Sequence, residues 1–241
     1  MSLFDIKNKT ILITGASSGL GKELAIQLSK LGANIIITGR DKNRLEETLS
    51  QLSNPFLSIP SDLSFEEDII KLTQLLPTLD GIIFCAGIVE YAPVKLINSN
   101  RINNTMSINF NSQVLLTQQL IKQRKLNRDS SLIYISSIAS KIGVAGTAMY
   151  AASKSALNAF VRVTATELSS QNIRVNSICP GIILTPMGEK AQSMSEDISK
   201  DYPLGLGTPK DIVGPCIFLL AEASRWITGT EMILDGGLTL I

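Results

Sequence analysis

An alternation that runs the length of the chain constrains its fold more than any other feature. Short runs rich in β-branched residues are each followed by a longer stretch with helical spacing. The first run, Thr10-Ile11-Leu12-Ile13-Thr14, leads into a helix-like segment from Gly19 to Leu31. Similar runs predict strands at Asn34 to Thr38, Phe56 to Ile59, Gly81 to Cys85, Ser131 to Ser136, Ile173 to Ile178 and Glu231 to Leu234. The intervening segments are long enough to be crossover helices, so the strands pair in parallel. The runs are apolar on both faces, the pattern of a sheet covered by helices on both sides. A length of 241 residues suits one such unit. The expectation is a single α/β domain over 1–241, a doubly wound sheet of about seven parallel strands with helices on both faces.

Composition narrows the function classes. The apolar fraction of 44% and charged fraction of 18% belong to a globular chain with a packed core. A formal charge of +1 without long basic runs argues against a nucleic-acid partner. The longest apolar stretch, around Gly81 to Val89, is well short of the roughly 18 residues of a membrane span, and the start of the chain carries no signal pattern. A cytoplasmic protein is expected. Cys85, Cys179 and Cys216 have no metal-ligand spacing and read as small buried residues, so neither a disulfide nor a metal is expected. The chain contains no histidine. Proton transfer must therefore use a carboxylate, tyrosine, lysine or cysteine.

Directly after the first strand comes Thr14-Gly15-Ala16-Ser17-Ser18-Gly19-Leu20-Gly21. Its glycines permit a tight turn and close approach of backbone to a pyrophosphate, whose charge the following helix N-terminus attracts. The second strand ends at Gly39-Arg40, where a free ribose 2′-hydroxyl would call for an acidic residue. Arg40 offers instead a guanidinium fork suited to a 2′-phosphate, favouring NADP (NADPH) over NAD. A solvated Arg40 paired with Asp41 or Glu47 is the alternative.

The string TGASSGLG resembles the glycine motif of the short-chain dehydrogenase/reductase family, and the resemblance spans the chain. Asp62-Leu63, Ala86-Gly87, Asn109, Ser137 with Tyr150 and Lys154, Pro180-Gly181 and Asp235-Gly236-Gly237 follow in the family's order. It implies a single-domain Rossmann-type catalytic fold and an oxidoreductase. Two departures stand out: the family's Asn-Asn-Ala-Gly is Phe84-Cys85-Ala86-Gly87, and the Arg of its Pro-Leu-Gly-Arg segment is Leu206. By resemblance, the cofactor would be held by Gly15, Ser17, Ser18, Gly19, Leu20, Gly21, Arg40, Asp62, Leu63, Cys85, Ala86, Gly87, Tyr150, Lys154, Pro180, Gly181, Ile183 and Thr185.

Tyr150 and Lys154 are four apart on a predicted helix and so share a face. A neighbouring ammonium favours phenolate, which predicts a lowered Tyr150 pKa and a usable acid/base. Ser137 lies at the C-terminal end of the fifth strand, the edge where ligands gather in such sheets, and could hold a substrate oxygen. The resemblance gives Lys154 a second role on the nicotinamide ribose. It gives Asn109 a water linking Lys154 to solvent, although a helix-interior amide satisfied by backbone would look the same.

These features imply an NADP-dependent oxidoreductase moving a hydride between nicotinamide and a carbonyl or alcohol. The layout resembles 3-oxoacyl reductases of fatty-acid synthesis, so the first expectation for substrate is a 3-oxoacyl thioester on an acyl carrier. A sugar, steroid or small-alcohol dehydrogenase is the alternative, and a cofactor-binding regulator without turnover is a third. A basic cluster of Lys122, Arg124, Lys125 and Arg128 is expected beside the active-site mouth if the substrate rides on an acidic carrier. Residues 185–206, polar and weakly periodic, are expected to form a mobile substrate lid. The long helices near Asn100 to Lys125 and Met149 to Ser169 imply, by resemblance, a homodimer or homotetramer.

Overall fold

The computed structural model describes residues 2–188 and 198–240. Seven strands form one parallel sheet in the order β3-β2-β1-β4-β5-β6-β7. They are β1 (Thr10–Thr14), β2 (Asn34–Gly39), β3 (Pro55–Pro60), β4 (Leu79–Phe84), β5 (Leu126–Ile135), β6 (Arg174–Pro180) and β7 (Glu231–Leu234). The longer helices among the described residues are α1 (Gly19–Lys30), α2 (Lys42–Leu49), α3 (Glu66–Leu75), α4 (Ser99–Met106), α5 (Ser112–Lys122), α6 (Ala148–Leu168) and α7 (Pro209–Leu220).

The crossovers put helices on both faces, because a parallel sheet must bury both. Ile11, Ile13, Ile35 and Ile37 point into one core with Leu24 and Leu28 of α1, Leu45 of α2 and Ile212, Cys216 and Leu219 of α7. Their neighbours Leu12, Ile36 and Ile82 point the other way, against Leu72 of α3, Leu116 of α5 and Leu157 and Val161 of α6. Alternate residues thus feed two cores, as the two-sided apolar runs require. Among the described residues no helix is long and apolar enough to cross a membrane.

The strand order reverses between β1 and β4, which leaves a crevice at their C-terminal ends. The predicted strands are all present, with one larger difference. β5 begins at Leu126 rather than Ser131, since Leu126 pairs with Leu79 before a register shift carries the ladder on to Gly81 and Ser131. The long helix expected from Asn100 is interrupted by a π-helical turn, Ser107–Asn111, between α4 and α5. Of the expected lid, residues 189–197 lie outside the described residues. Its returning end is joined to the body by a parallel bridge between Ile183 and Gly207.

Candidate active site

A cleft of about 840 Å³ opens along the C-terminal edge of the sheet. Its floor begins with the turn after β1. Gly15 has φ +66°, and a Cβ there would lie 2.9 Å from the backbone N and Cα of Ala86, so only glycine lets the β1 and β4 loops meet. The Thr14 hydroxyl fastens the two loops by accepting the N–H groups of Cys85 (3.0 Å) and Ala86 (3.1 Å). Ser18 caps α1 without a side-chain hydrogen bond and no acidic residue occupies the first turn, so the positive helix end faces the cleft. Phe84, standing where the family has an amide, is fully buried and stacks on Tyr134 at 4.2 Å with an interplanar angle of 3°. The departure therefore exchanges a polar contact inside the sheet for aromatic packing, and Cys85 still lines the cleft.

Arg40, at the end of β2, lines the same cleft. Arg44 joins it, because Asp41 caps α2 by accepting the Arg44 N–H at 3.1 Å and so starts a turn that brings the two arginines together. The expected alternative, Arg40 paired with Asp41 or Glu47, is not formed: among the described residues the ion pair on α2 is Lys42–Glu46, and neither arginine has an acidic partner. Asp62 shapes the turn after β3 by accepting from the Ser64 N–H at 3.0 Å and hydroxyl at 2.6 Å.

The opposite wall is built by α6 and the turn after β5. Tyr150 and Lys154 stand one helical turn apart, with the ammonium 5.7 Å from the Tyr150 ring centroid. Lys154 is 4% exposed and donates to the Ile135 carbonyl at 2.7 Å. Ser137 accepts the Ala139 N–H at 3.1 Å, and its hydroxyl faces the Tyr150 phenol. Burial pushes the phenol up to about 12, outweighing the pull of the nearby Ser137 hydroxyl in the other direction. Burial likewise pushes the Lys154 ammonium down to about 8. The expected lowering of Tyr150 by Lys154 is thus overturned: desolvation favours the neutral form of both groups. Cys85, coupled electrostatically to Lys154, is pushed by burial up to about 12 and stays a thiol.

Of the cofactor-binding and catalytic residues named from the sequence, Asn109 stands apart: it lies behind the wall and the others line the cleft. Fully buried in the π-helical turn, it accepts the Ile88 N–H at 2.8 Å and donates to the Ile88 carbonyl at 2.9 Å and the Ser153 hydroxyl at 3.1 Å. Its amide fixes the Gly87–Ile88 loop to α6, the backbone-satisfied arrangement expected as the alternative. The basic cluster is also displaced. Lys122, Arg124, Lys125 and Arg128 follow α5 to the N-terminal edge of β5, whereas Ser137 follows its C-terminal end. The paired ladder from Leu79–Leu126 to Phe84–Tyr134, roughly 17 Å at about 3.3 Å per β4 residue, separates them. Sequence reasoning missed Arg44, Tyr91 and Tyr202, which also line the cleft. Arg44 had a signal in its spacing from Arg40; the two tyrosines belong to no pattern.

A family model described as Enoyl-(Acyl carrier protein) reductase matches residues 15–239. The chain belongs to the short-chain dehydrogenase/reductase family. As a short-chain dehydrogenase/reductase it is an oxidoreductase, and its relatives differ in substrate. A 3-oxoacyl-(acyl-carrier-protein) reductase of Rickettsia bellii (strain RML369-C) is 31% identical, over 99% of this chain and 100% of the relative. An NAD-dependent glycerol dehydrogenase of Listeria innocua is 30% identical, over 98% and 96%. A crystal structure from Beutenbergia cavernae, provisionally assigned as an NAD(P)-dependent gluconate 5-dehydrogenase, holds NADP at low occupancy. It superposes with a TM-score of 0.91 at 25% identity, covering 100% of both chains.

Proposed function

We propose that this short-chain dehydrogenase/reductase is an NADP-dependent carbonyl reductase with Tyr150 as proton donor, and that its substrate is a 3-oxoacyl thioester. The observation that carries this reading is the joining of two halves in one cleft. An uncapped helix end with Arg40 and Arg44, which have no acidic partner among the described residues, lies at one side, and Ser137 and Tyr150 beside Lys154 lie at the other. The residues present fit a dinucleotide. The amides at the start of α1 would hold the pyrophosphate, Arg40 and Arg44 a 2′-phosphate, and the Pro180–Ile183 turn with Thr185 the nicotinamide end.

When bound, the cofactor supplies the hydride. The chain supplies orientation and the proton. A phenol raised to about 12 is protonated throughout the neutral range, so Tyr150 enters as an acid, which suits reduction. Ser137, facing that phenol, would fix the substrate oxygen between them. Lys154 would bond the ribose and, while charged, stabilise the negative charge that develops as Tyr150 gives up its proton.

The walls beyond Tyr150 support an apolar substrate over a polyol: Val89, Tyr91, Ile142, Val144, Met187 and Leu238 line them. The acidic Asp201 at this end disfavours a free carboxylate. The glycerol and gluconate relatives make a small-alcohol or sugar dehydrogenase the second reading. A regulator without turnover is disfavoured by the complete Ser137, Tyr150 and Lys154 set. An NADPH-consuming enzyme with three free thiols fits a reducing cytoplasm. A homodimer or homotetramer is supported by the edge strand β7, near which Trp226 is 92% exposed and Leu240 86%.

Arg40→Ala tests the cofactor assignment. NADPH affinity should fall roughly tenfold or more, as for a lost charge-assisted contact, while NADH affinity changes little. Equal losses for both cofactors would show that Arg40 is merely structural.

A further inference from the structure

Tyr202 follows the short turn Ile198–Asp201, and its buried ring forms part of the cleft wall. Its phenol oxygen accepts the N–H of Ile182 at 3.0 Å. The ring stands so near the turn after β6 that a Cβ on Gly181 would come within 2.8 Å of Cε1, and the neighbouring ring carbon Cδ1 lies 3.6 Å from the corresponding position on Gly236. The residues after it complete the fastening. Gly207 donates to the Ile182 carbonyl at 3.1 Å, Leu184 donates to the Gly207 carbonyl at 2.8 Å, and Leu204 donates to the Gly236 carbonyl at 3.0 Å. Both main-chain groups of Ile182 are therefore held by the segment that returns from residue 202 to residue 207, and the Tyr202 hydroxyl is the side chain in that grip.

We infer that Tyr202 is a positioning residue for nicotinamide: its hydroxyl sets the height of the Pro180–Ile183 turn, and its ring packs against Gly181 within that turn. The inference rests on the cofactor reading above. Without the hydroxyl, the Ile182 N–H loses its partner in the cleft wall, and the turn relaxes to find water or another acceptor. Arg40, at the adenosine end of the cleft, follows β2, four strands across the sheet from the turn after β6 that Tyr202 holds. Loss of the hydroxyl is therefore felt at one end of the dinucleotide only.

Tyr202→Phe keeps the ring packing against Gly181 and Gly236 and removes one oxygen. Dissociation constants for NADPH and for adenosine 2′,5′-bisphosphate, which fills only the adenosine end, are measured by fluorescence or calorimetry. Amide exchange at Ile182 is followed by NMR in the protein without ligand. The expected result is NADPH affinity weakened about fivefold or more, bisphosphate affinity unchanged, Ile182 exchange at least about tenfold faster, and an unchanged melting temperature. Equal weakening of both ligands, unaltered NADPH affinity, or unaltered exchange at Ile182 would overturn the assignment. If the unsubstituted protein binds NADH more tightly than NADPH, the NADP reading fails. The same comparison with NADH and ADP-ribose then judges Tyr202 by the same criteria.

Discussion

At the residue scale, chemistry and stability pull Lys154 in opposite directions. The chain buries an ammonium whose charged form it disfavours, so the folded pKa of about 8 lies below the ordinary lysine value of 10.5. Between those two values the unfolded chain binds more protons, and stability rises with pH. Below about 8 the full penalty is present; above about 10.5 it is gone. Lys154→Met should therefore raise unfolding stability at pH 7 by about 1 kcal/mol after loss of the Ile135 hydrogen bond. The gain should shrink by pH 10, and turnover should drop at least roughly a hundredfold. Denaturant unfolding at the two pH values checks this, and a destabilised variant at pH 7 would contradict it. Spacing made Ser137, Tyr150 and Lys154 legible, since a fixed order of chemically distinct residues leaves few alternatives. Spacing carries no information about burial, and that is why the Tyr150 phenol was expected to move down when desolvation moves it up. Tyr202 was illegible for a related reason: its partner is a backbone N–H that only folding brings near it.

At the scale of elements, glycines separate turns that must be glycine from those that need not be. A Cβ on Gly21, in the first turn of α1, would lie 2.6 Å from the Gly15 carbonyl oxygen, and backbone cannot step aside without opening the phosphate turn. A Cβ on Gly81, in β4, would lie 2.5 Å from Cδ2 of Leu220, the tip of a side chain that can rotate. Gly21→Ala should cost about 2 kcal/mol or more, lowering the melting temperature by roughly 4–8 °C, and weaken NADPH binding. Gly81→Ala should cost less, about 1 kcal/mol, the low end for an added methyl in a packed core. Thermal unfolding of the two variants decides, and equal losses would refute this account of the turn. The strands were legible because their apolar runs are bounded by turn residues. The first residues of β5 were not, since Asn127, Arg128 and Asp129 are polar and bulge out of the ladder between the Leu79–Leu126 and Gly81–Ser131 pairs, with Asp129 at φ +66°. The π-helical turn escaped notice because its cause, the tie from Asn109 to the Gly87–Ile88 loop, is a contact between distant elements.

For the whole molecule, parallel connectivity follows from the strand–helix alternation, and it puts the strand ends that carry Gly15, Arg40, Asp62, Cys85, Ser137 and Gly181 on one edge. The same geometry moves the basic cluster after α5 to the other edge, a consequence of helix direction that local charge cannot reveal. Substrate choice belongs to this scale as well, because the walls are assembled from loops after β4, β5 and β6 and from the chain near Tyr202 and Leu238. The most direct measurement is steady-state turnover of the protein and of Tyr150→Phe with NADPH and NADH, against acetoacetyl thioester, small ketones, glycerol and gluconate. The account predicts NADPH-dependent reduction of the thioester, slower use of NADH, little activity on the polyols and a loss of at least roughly a hundredfold in the variant. Preferential oxidation of glycerol or gluconate with NAD, or near-normal turnover by Tyr150→Phe, would contradict it.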